Sequence, residues 1–387
     1  MTTVTDHEMV SILDYFQDLE DPRCATNRRH LLGDLIVISI CGVVAGADGP
    51  QAIGAWAKEQ EEWLRQYLEL PNGIPSHDTI GRLLAALKPS AFQACFQAWI
   101  CGIRGGDSDE PDCEQKKVVA IDGKALRRSH DHKRGLGPLF MVSAWAVDEG
   151  ISLGQLATEE KSNEIAAIPL LLDEIDVEGA TVTIDAAGCQ KNIAAKIIDC
   201  GGDYVLALKG NQGKLHQAVV DWVLEQMEND FMDVTVRRHI ETVLGHGRID
   251  TVEYFHFNAP KSLPGFNNWQ GLKTIGVAIR TSQQGDKQTT AVRFFISSLP
   301  LGVRGFAHAV RGHWAIENTL HWCLDVTFRE DENRVRERQA ADNLAWLKRF
   351  TLSLLKQQTD KDSIAMRRRK AGWNVGYLMQ VLGITRI

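Results

Sequence analysis

The sequence lacks the cysteine patterns of zinc ribbons and of disulfide-rich domains. Its eight cysteines are scattered between Cys24 and Cys323 and include no CxxC pair. Structural zinc sites and small disulfide frameworks need closely spaced cysteines, so neither is indicated. We therefore expect the thiols to be reduced and mostly buried.

A long apolar run is also missing. The most apolar stretch, LLGDLIVISICGVVAGA from Leu31, is interrupted by Asp34 and is shorter than the roughly 20 apolar residues that a membrane helix needs. The first residues, MTTVTDHEMVSILDYF, have neither the basic segment nor the apolar segment of a secretion signal. We expect a cytoplasmic protein that has no membrane partner.

The chain has no excess of positive charge, since its formal net charge is -7. Composition therefore gives no global signal for nucleic acid, and a polyanion would have to meet local basic patches. Two are present: KKVVAIDGKALRRSHDHKRG from Lys116 and RRRK from Arg367. Internal repeats and low-complexity segments are absent, and 387 residues suffice for two or three domains.

Hydrophobic periodicity predicts an α/β protein with a helical N-terminal domain. Residues 1–110 show helical spacing, and GIPSHDTIGRLL is typical of a helix start with Ser76 or Asp78 as N-cap. Residues 111–210 contain three strand-like runs, a helix and then a β-α-β unit, which requires a parallel sheet.

The remaining residues predict three further segments. Alternating runs in residues 211–300 indicate a β-rich insertion that folds beside the parallel sheet and does not continue it. Residues 301–350 supply the last part of the core, including the helix in HAVRGHWAIENTLHWCLDV. Residues 351–387 form a basic helical C-terminal segment.

Two aspartates lie where strands are predicted to be buried. Asp122 follows the apolar run VVAI, and Asp185 follows TVTI. The carboxyl ends of parallel strands line the ligand-binding crevice, and an ionised carboxylate buried there needs a compensating cation. A single aspartate of this kind more often caps a turn, but two in one sheet favour a shared metal.

A third acid is Glu317, which shares one helical stripe with His313, His321 and Asp325. The two histidines are about 12 Å apart along a helix, too far to bind one ion. Oxygen ligands instead favour Mg²⁺ or Mn²⁺, and two aspartates with a glutamate can hold two such ions for displacement at a phosphodiester. The alternative is a solvated helix face with Glu317 paired to Arg311 or to a neighbouring lysine.

Several motifs together resemble a known family. They are LEDPR, LPNGIPSHDTIGRLL, VVAIDGKALRRS, KSNEIAAIPLLL, TIDAAGCQKNIAAKIIDCGGDYVLALKGNQ, GHGRID, FFISSL, VRGHWAIENTLHWCLDVTFRED and NLAWLKRF. In this order they resemble insertion-sequence DDE transposases, in the group that includes the H-repeat-associated, Rhs-element-linked proteins. The resemblance extends over nearly the whole chain.

The resemblance implies an RNase H-like catalytic core with a β-rich insertion, preceded by the helical N-terminal domain. The metal-binding catalytic triad would be Asp122, Asp185 and Glu317. It implies cleavage of transposon-end DNA that depends on Mg²⁺ or Mn²⁺, followed by transfer of the 3′-hydroxyl into target DNA. The protein would act as a homo-oligomer, a dimer, in the bacterial cytoplasm. Related transposases carry a tyrosine, an arginine and a lysine on the glutamate helix, where this chain has Val310, His313 and Leu324.

Further side chains are candidates for DNA contacts. Lys209 and Asn211 follow a strand and would reach the same crevice, although a simple turn is an equal alternative. The other candidates are Lys124, Arg127, Arg128, Arg311 and His313, for which a solvated basic surface is the alternative. Trp269 is a candidate for stacking on a flipped base, although a tryptophan in the insertion is more often part of the core. His246 and Arg248 are candidates only through the resemblance.

Three functional hypotheses remain open from the sequence. The first is a transposase, the second a metal-dependent nuclease without strand transfer, and the third a catalytically silent DNA-binding remnant. For sequence recognition, the helix around SHDTIGRLL is a candidate, because phosphate contacts carry no sequence information.

Overall fold

The computed structural model describes residues 12–104, 116–159, 163–245 and 247–383. Within these ranges nine strands form one mixed sheet, in the order β3-β2-β1-β4-β5-β9-β8-β7-β6. The strands are β1 (Val118–Leu126), β2 (Leu139–Ala146), β3 (Ile151–Thr158), β4 (Thr181–Ile184), β5 (Asp203–Leu208), β6 (Val236–Gly245), β7 (Arg248–Asn258), β8 (Thr274–Gln284) and β9 (Lys287–Ser297).

Helices cover the sheet and one of its ends. In chain order the α-helices are α1 (Leu32–Val44), α2 (Pro50–Glu59), α3 (Glu61–Leu64), α4 (His77–Ala86), α5 (Pro89–Arg104), α6 (Glu164–Glu174), α7 (Lys191–Asp199), α8 (Gly213–Glu228), α9 (Val303–Ile316), α10 (Trp322–Val326), α11 (Arg338–Lys356), α12 (Ile364–Trp373) and α13 (Val375–Val381). No helix in the described residues is long and apolar enough to cross a membrane.

The predicted β-α-β unit is present, and the α/β class is confirmed. Strands β1, β4 and β5 are parallel, and α7 connects β4 to β5. Every residue of β4 is buried, and α7 buries Ile193 and Ile197 on one face. Gly201 follows the helix with a φ of 76°, a left-handed conformation that favours glycine and ends the helix.

The predicted placement of the insertion was wrong. Residues 211–300 are rich in strands, but β9 pairs antiparallel with β5, from Val205 opposite Ser297 to Leu208 opposite Phe294. The four strands β6–β9 therefore continue the central sheet. The physical reason is that β5 would otherwise leave a row of unpaired backbone groups at the sheet edge.

The N-terminal helices share one hydrophobic core with later parts of the chain. Ser76 is the N-cap of α4, as one of the two predicted alternatives, and its hydroxyl accepts from the Thr79 N–H. The core of these helices continues through Leu344 and Phe350 of α11. The domain boundary predicted near residue 110 lies outside the described residues.

The RRRK patch does not form the basic surface predicted from the sequence. Arg367 and Arg368 are buried, and α11 crosses the boundary predicted at residue 350. Arg367 donates to the Leu355 carbonyl at 2.7 Å, and Arg368 donates to the Ala47 carbonyl at 2.9 Å. Guanidinium groups carry several donors, and here they satisfy carbonyl groups at helix ends, so only Arg369 of the three arginines is exposed.

Helix α9 is held against the sheet through an aromatic cluster. The ring of Phe306 stacks on His256 with ring centroids 4.9 Å apart and lies edge-on to Phe295. A Cβ atom on Gly276 of β8 would lie only 2.2 Å from the same ring. Glycine at this position therefore sets how closely α9 approaches the sheet.

We expect Gly276→Ala to destabilise the protein by about 1–3 kcal/mol, because the packed ring cannot move away from the new methyl group. The free energy of unfolding in urea measures this. Gly305→Ala on the exposed side of α9, where a Cβ meets no atom within 4 Å, is the matched control and should cost nothing. Equal stability of the two variants would contradict the expectation.

Candidate active site

Strand register places the two predicted aspartates side by side. Ile121 of β1 is paired with Ile184 of the parallel strand β4, so Asp122 and Asp185 occupy the next positions on the two strands. Neighbouring strands are about 4.8 Å apart. Asp122 lies inside β1, which continues to Leu126, whereas β4 ends at Ile184.

Asp185 is fixed by the turn that follows β4. Its Oδ1 accepts hydrogen bonds from the Ala187 N–H at 2.9 Å and from the Gly188 N–H at 3.2 Å. The carboxylate thus satisfies two backbone N–H groups of the turn, where the strand pairing of β4 has ended. One carboxylate oxygen holds the turn, and Asp185 also lines the cavity described below.

Glu317 comes from a π-helical turn. The turn spans Glu317–His321 and lies between α9 and α10, which with it form one helical segment. Single π-turns inside α-helices are frequent at functional sites. His321 Nδ1 lies 3.6 Å from Asp122 Oδ2, so this turn faces β1.

Other members of the polar stripe predicted around Glu317 contact the sheet. His313 Nδ1 lies 3.4 Å from the Thr183 hydroxyl, and Asp325 Oδ1 lies 2.6 Å from Lys124 Nζ. Glu317 itself is exposed, as the alternative of a solvated helix face predicted, but the pairing with Arg311 is not found, since Arg311 Nη1 contacts Glu241 at 3.0 Å.

One cavity contains all three predicted acids. Its lining also includes side chains that the sequence did not single out for this site. The lining residues are Asp122, Asp185, Lys209, Ala278, Arg280, Ala291, Arg293, His313, Trp314, Glu317 and Asn318. Arg280 and Arg293 come from β8 and β9, so the region predicted as an insertion forms one wall of the site.

The acids of the cavity act on one another. The pKa of Asp122 is raised to about 7, chiefly by burial and in addition by the negative charges of Asp185, Glu164 and Glu317, against one backbone hydrogen bond from Gly123 that lowers it. Carboxylates that disfavour each other's ionisation form an environment that attracts a cation or a proton.

Glu164 is a fourth acid at the site, and sequence reasoning missed it. It is buried at the start of α6, and its carboxylate lies 2.5 Å from where a Cβ atom on Gly123 would be. The glycine after Asp122 therefore makes room for this carboxylate. The available signal was the glutamate in KSNEIAAIPLLL, an acid within a family motif.

Lys124 occupies an internal position that does not suit the predicted DNA contact. Its side chain is 9% exposed. The ammonium group contacts Asp325 at 2.6 Å, Glu330 at 2.9 Å and Asp331 at 3.4 Å. Lys124 therefore joins β1 to α10 and to the segment that follows it.

Glu330 extends this cluster into the interior. Its side chain is 1% exposed, and Arg349 Nη1 donates to its Oε1 at 2.7 Å. Burial by itself raises the pKa of Glu330, but the charges of Arg349 and Lys124 outweigh it and lower the pKa to about 2. Arg349 Nε also donates to the hydroxyl of Ser143, which is paired across the sheet with Asp122.

Lys209, Arg127 and Arg128 are exposed. Lys209 lines the cavity of the three acids, and Arg127, whose side chain is 79% exposed, contacts Asp331 at 3.1 Å. Asn211, by contrast, donates its amide N–H to the Ala186 carbonyl and holds the turn after Asp185. Burial lowers the pKa of His313 to about 4, so this histidine is neutral at neutral pH.

The candidate base-stacking residue Trp269 is only 3% exposed and packs in the core, so that hypothesis was wrong. Arg248 lies on β7 and pairs with Asp250 at 2.8 Å. His246 lies outside the described residues.

The donor chemistry of the acids fits a hard cation, but the described residues do not form a finished metal site. Among them, no group of three or more histidine, cysteine, aspartate or glutamate side chains is arranged to hold an ion. Carboxylate oxygens are the ligands that Mg²⁺ and Mn²⁺ prefer. The metal therefore stays an inference from donor type and from the mutual repulsion at Asp122.

Comparison with known proteins identifies the family. Residues 114–355 match the family model described as "Transposase DDE domain", and residues 13–100 match the model "DDE_Tnp_1-associated". The first match covers more than half of the chain. This chain belongs to the DDE transposase family. The family resemblance deduced from the motifs is thereby confirmed.

Relatives of the transposase family match along almost the full chain. "Putative transposase YncI" of Escherichia coli O157:H7 is 38% identical over 96% of this chain and 94% of its own length. "H repeat-associated putative transposase YhhI" of Escherichia coli K12 is 35% identical over 97% of this chain and 98% of its own. A piggyBac transposase synaptic complex covers 97% of this chain and 78% of its own at 9% identity, and its TM-score of 0.38 is too low to support a conclusion.

We expect Asp122→Asn to stabilise this transposase in metal-free buffer, and more at about pH 8 than at about pH 5. The pKa of Asp122 is about 7 in the folded chain against 3.8 ordinarily, so the folded protein holds this proton more tightly than the unfolded chain does. The stabilisation that comes from the bound proton is therefore fully present below about pH 4 and is lost as the pH rises through 7. At about 1.4 kcal/mol per pKa unit, the gain at high pH is at most about 4 kcal/mol.

Urea unfolding at the two pH values measures this gain. Asp233→Asn, the loss of one exposed acid between α8 and β6, is the matched control. If Asp122→Asn is destabilised equally at both pH values, the buried ionised carboxylate does not lower the free energy of unfolding as expected.

Proposed function

We propose that the protein is an active DDE transposase that cleaves transposon-end DNA and transfers the 3′-hydroxyl into target DNA. The observation that carries the proposal is the register that sets Asp122 beside Asp185, with Glu317 lining the same cavity. We further propose that β1 to β5 form the RNase H-like catalytic core, and that Mg²⁺ or Mn²⁺ is the cofactor.

In this proposal Asp122, Asp185 and Glu317 hold the divalent ions, which when bound would activate the attacking oxygen and stabilise the leaving one. Asp185 keeps one oxygen on its turn and presents the other to the cavity. Lys209 and Arg280 offer positive charge at the rim for the phosphate that reacts. Water attacks the phosphorus at the transposon end and displaces the 3′-oxygen of the element. The 3′-hydroxyl so released then attacks a phosphorus of the target DNA and displaces a 3′-oxygen there, and neither step forms a covalent enzyme intermediate.

We expect Asp122→Asn, Asp185→Asn and Glu317→Gln each to reduce cleavage of the element's own ends to background, while binding to the same DNA is retained. The amide keeps the shape of the acid but loses the negative charge that holds a cation. Nicking of a plasmid with the element's ends measures cleavage, and gel shift measures binding. Asp233→Asn is the control for loss of a distant acid.

The competing functions predict different products in the same assay. A nuclease nicks the ends but never joins a 3′-end to target DNA, and a silent remnant binds without nicking. Near-normal cleavage by Glu317→Gln would remove Glu317 from the triad. Asp325 and Glu330 are poor replacements, because Lys124 and Arg349 already neutralise them.

We propose that the exposed start of α4 contributes to recognition of the transposon end. The face that includes Ile80 and Leu83 is buried, whereas His77, Asp78 and Arg82 are exposed. Donors and acceptors at the start of a helix suit a major groove. Removing the whole N-terminal region would open the core shared with α11, so surface substitutions are the better test.

We expect the double variant His77→Ala, Arg82→Ala to lose about fivefold or more of its preference for end DNA over a scrambled duplex. Competition binding at one fixed salt concentration measures the preference. Lys88→Ala, an exposed cation just beyond α4, should leave it unchanged. An unchanged preference in the double variant would assign sequence recognition to another region.

A further inference from the structure

The distal halves of β6 to β9 form a four-stranded arm with two chemically different faces. We define the arm as residues 240–245, 248–253, 279–284 and 287–293. The strands pair in continuous register, and successive side chains of a strand point to opposite faces. Residues that are paired across the strands therefore share a face.

The front face of the arm is polar and cationic. Its charged side chains are Arg248, Arg280, Lys287 and Arg293, with Glu241 and Asp250 as acids. The back face carries one charged side chain in the described residues, Glu253. It consists otherwise of threonines, glutamines and the apolar side chains Ile240, Leu244, Ile249, Ile279 and Val292.

The front face is continuous with the catalytic cavity. Arg280, Ala291 and Arg293 line the cavity of the three acids. Arg280 and Ala291 also line a second groove, which reaches Arg248 and Lys287 near the tip of the arm. From Arg293 to Lys287 the strand covers about 20 Å, the length of about six base pairs.

The acids of the front face orient its arginines without cancelling their charge. Asp250 pairs with both Arg248 at 2.8 Å and Arg280 at 3.0 Å, so two positive charges share one negative charge. Glu241 is paired with Arg311 of α9. The Arg293 guanidinium lies over the ring of Trp314 at 5.2 Å, which holds it at the cavity rim.

We propose that the front face of the arm binds the phosphate backbone of duplex DNA where the duplex leads away from the reacting phosphodiester. The inference rests on the proposed function, since it takes the cavity of the three acids as the place of reaction. Charge complementarity and continuity with that cavity identify the occupant. The same contacts would grip any duplex sequence.

The test is binding of full-length protein to a short fluorescent duplex of random sequence, in EDTA so that the DNA is only bound, over a series of salt concentrations. For the double variant Lys287→Gln, Arg293→Gln, the slope of log Kd against log salt concentration should fall by about two, one for each lost phosphate contact. Lys287→Gln alone should remove about one, and Arg293→Lys should keep the wild-type slope.

Lys261→Gln is the matched control, because Lys261 is exposed in the loop between β7 and β8, at the end opposite the tip. It should leave the slope unchanged, and urea unfolding checks that each variant is folded. A folded double variant with wild-type slope and affinity overturns the inference, even if the protein transposes. Wild-type protein that binds but never cleaves end DNA refutes the proposed function alone.

Discussion

The structure depends on a buried ionic cluster that fixes β1, the strand of Asp122, to the helical segment of Glu317. Glu330 lies between Lys124 of β1 and Arg349 of α11, and Lys124 also contacts Asp325 at the end of α10. Three separated parts of the chain meet at these charges. Removing one partner of such a buried pair leaves an uncompensated charge and typically costs about 3–5 kcal/mol, so the three parts are strongly held in one arrangement.

This cluster and the active site have opposite electrostatic characters. In the cluster each carboxylate has a cation beside it, and the pKa of Glu330 stays low. Two residues before Lys124, burial and neighbouring acids raise the pKa of Asp122. The protein thus pairs the acids that hold the fold with cations, whereas at Asp122 the neighbouring acids disfavour ionisation. A divalent cation placed there would relieve this repulsion.

Pairing of β9 with β5 has a consequence beyond the closing of a sheet edge. It sets the arm in line with β1, β4 and β5, so that Arg280 and Arg293 reach the cavity of Asp185. A separate insertion domain would need its own contacts to hold this position. Here the hydrogen bonds of the sheet itself do so, and Phe306 fixes α9 above the same strands.

The sequence by itself determined the α/β class and the β-α-β unit, because strand and helix periodicity are local properties. It also singled out Asp122, Asp185 and Glu317 as candidate site acids, because short motifs are local as well. Only the tertiary structure decided the rest. Whether a cation such as Lys124 or Arg368 faces solvent or the interior depends on acids and carbonyls far away in the sequence. The pairing of β9 with β5, the entry of Arg280 into the site and the approach of Glu164 to Gly123 likewise depend on contacts between distant residues. The local sequence pattern does not identify such partners. Hydrogen bonds and ion pairs form between groups that are close in space, and only the completed fold brings these groups together.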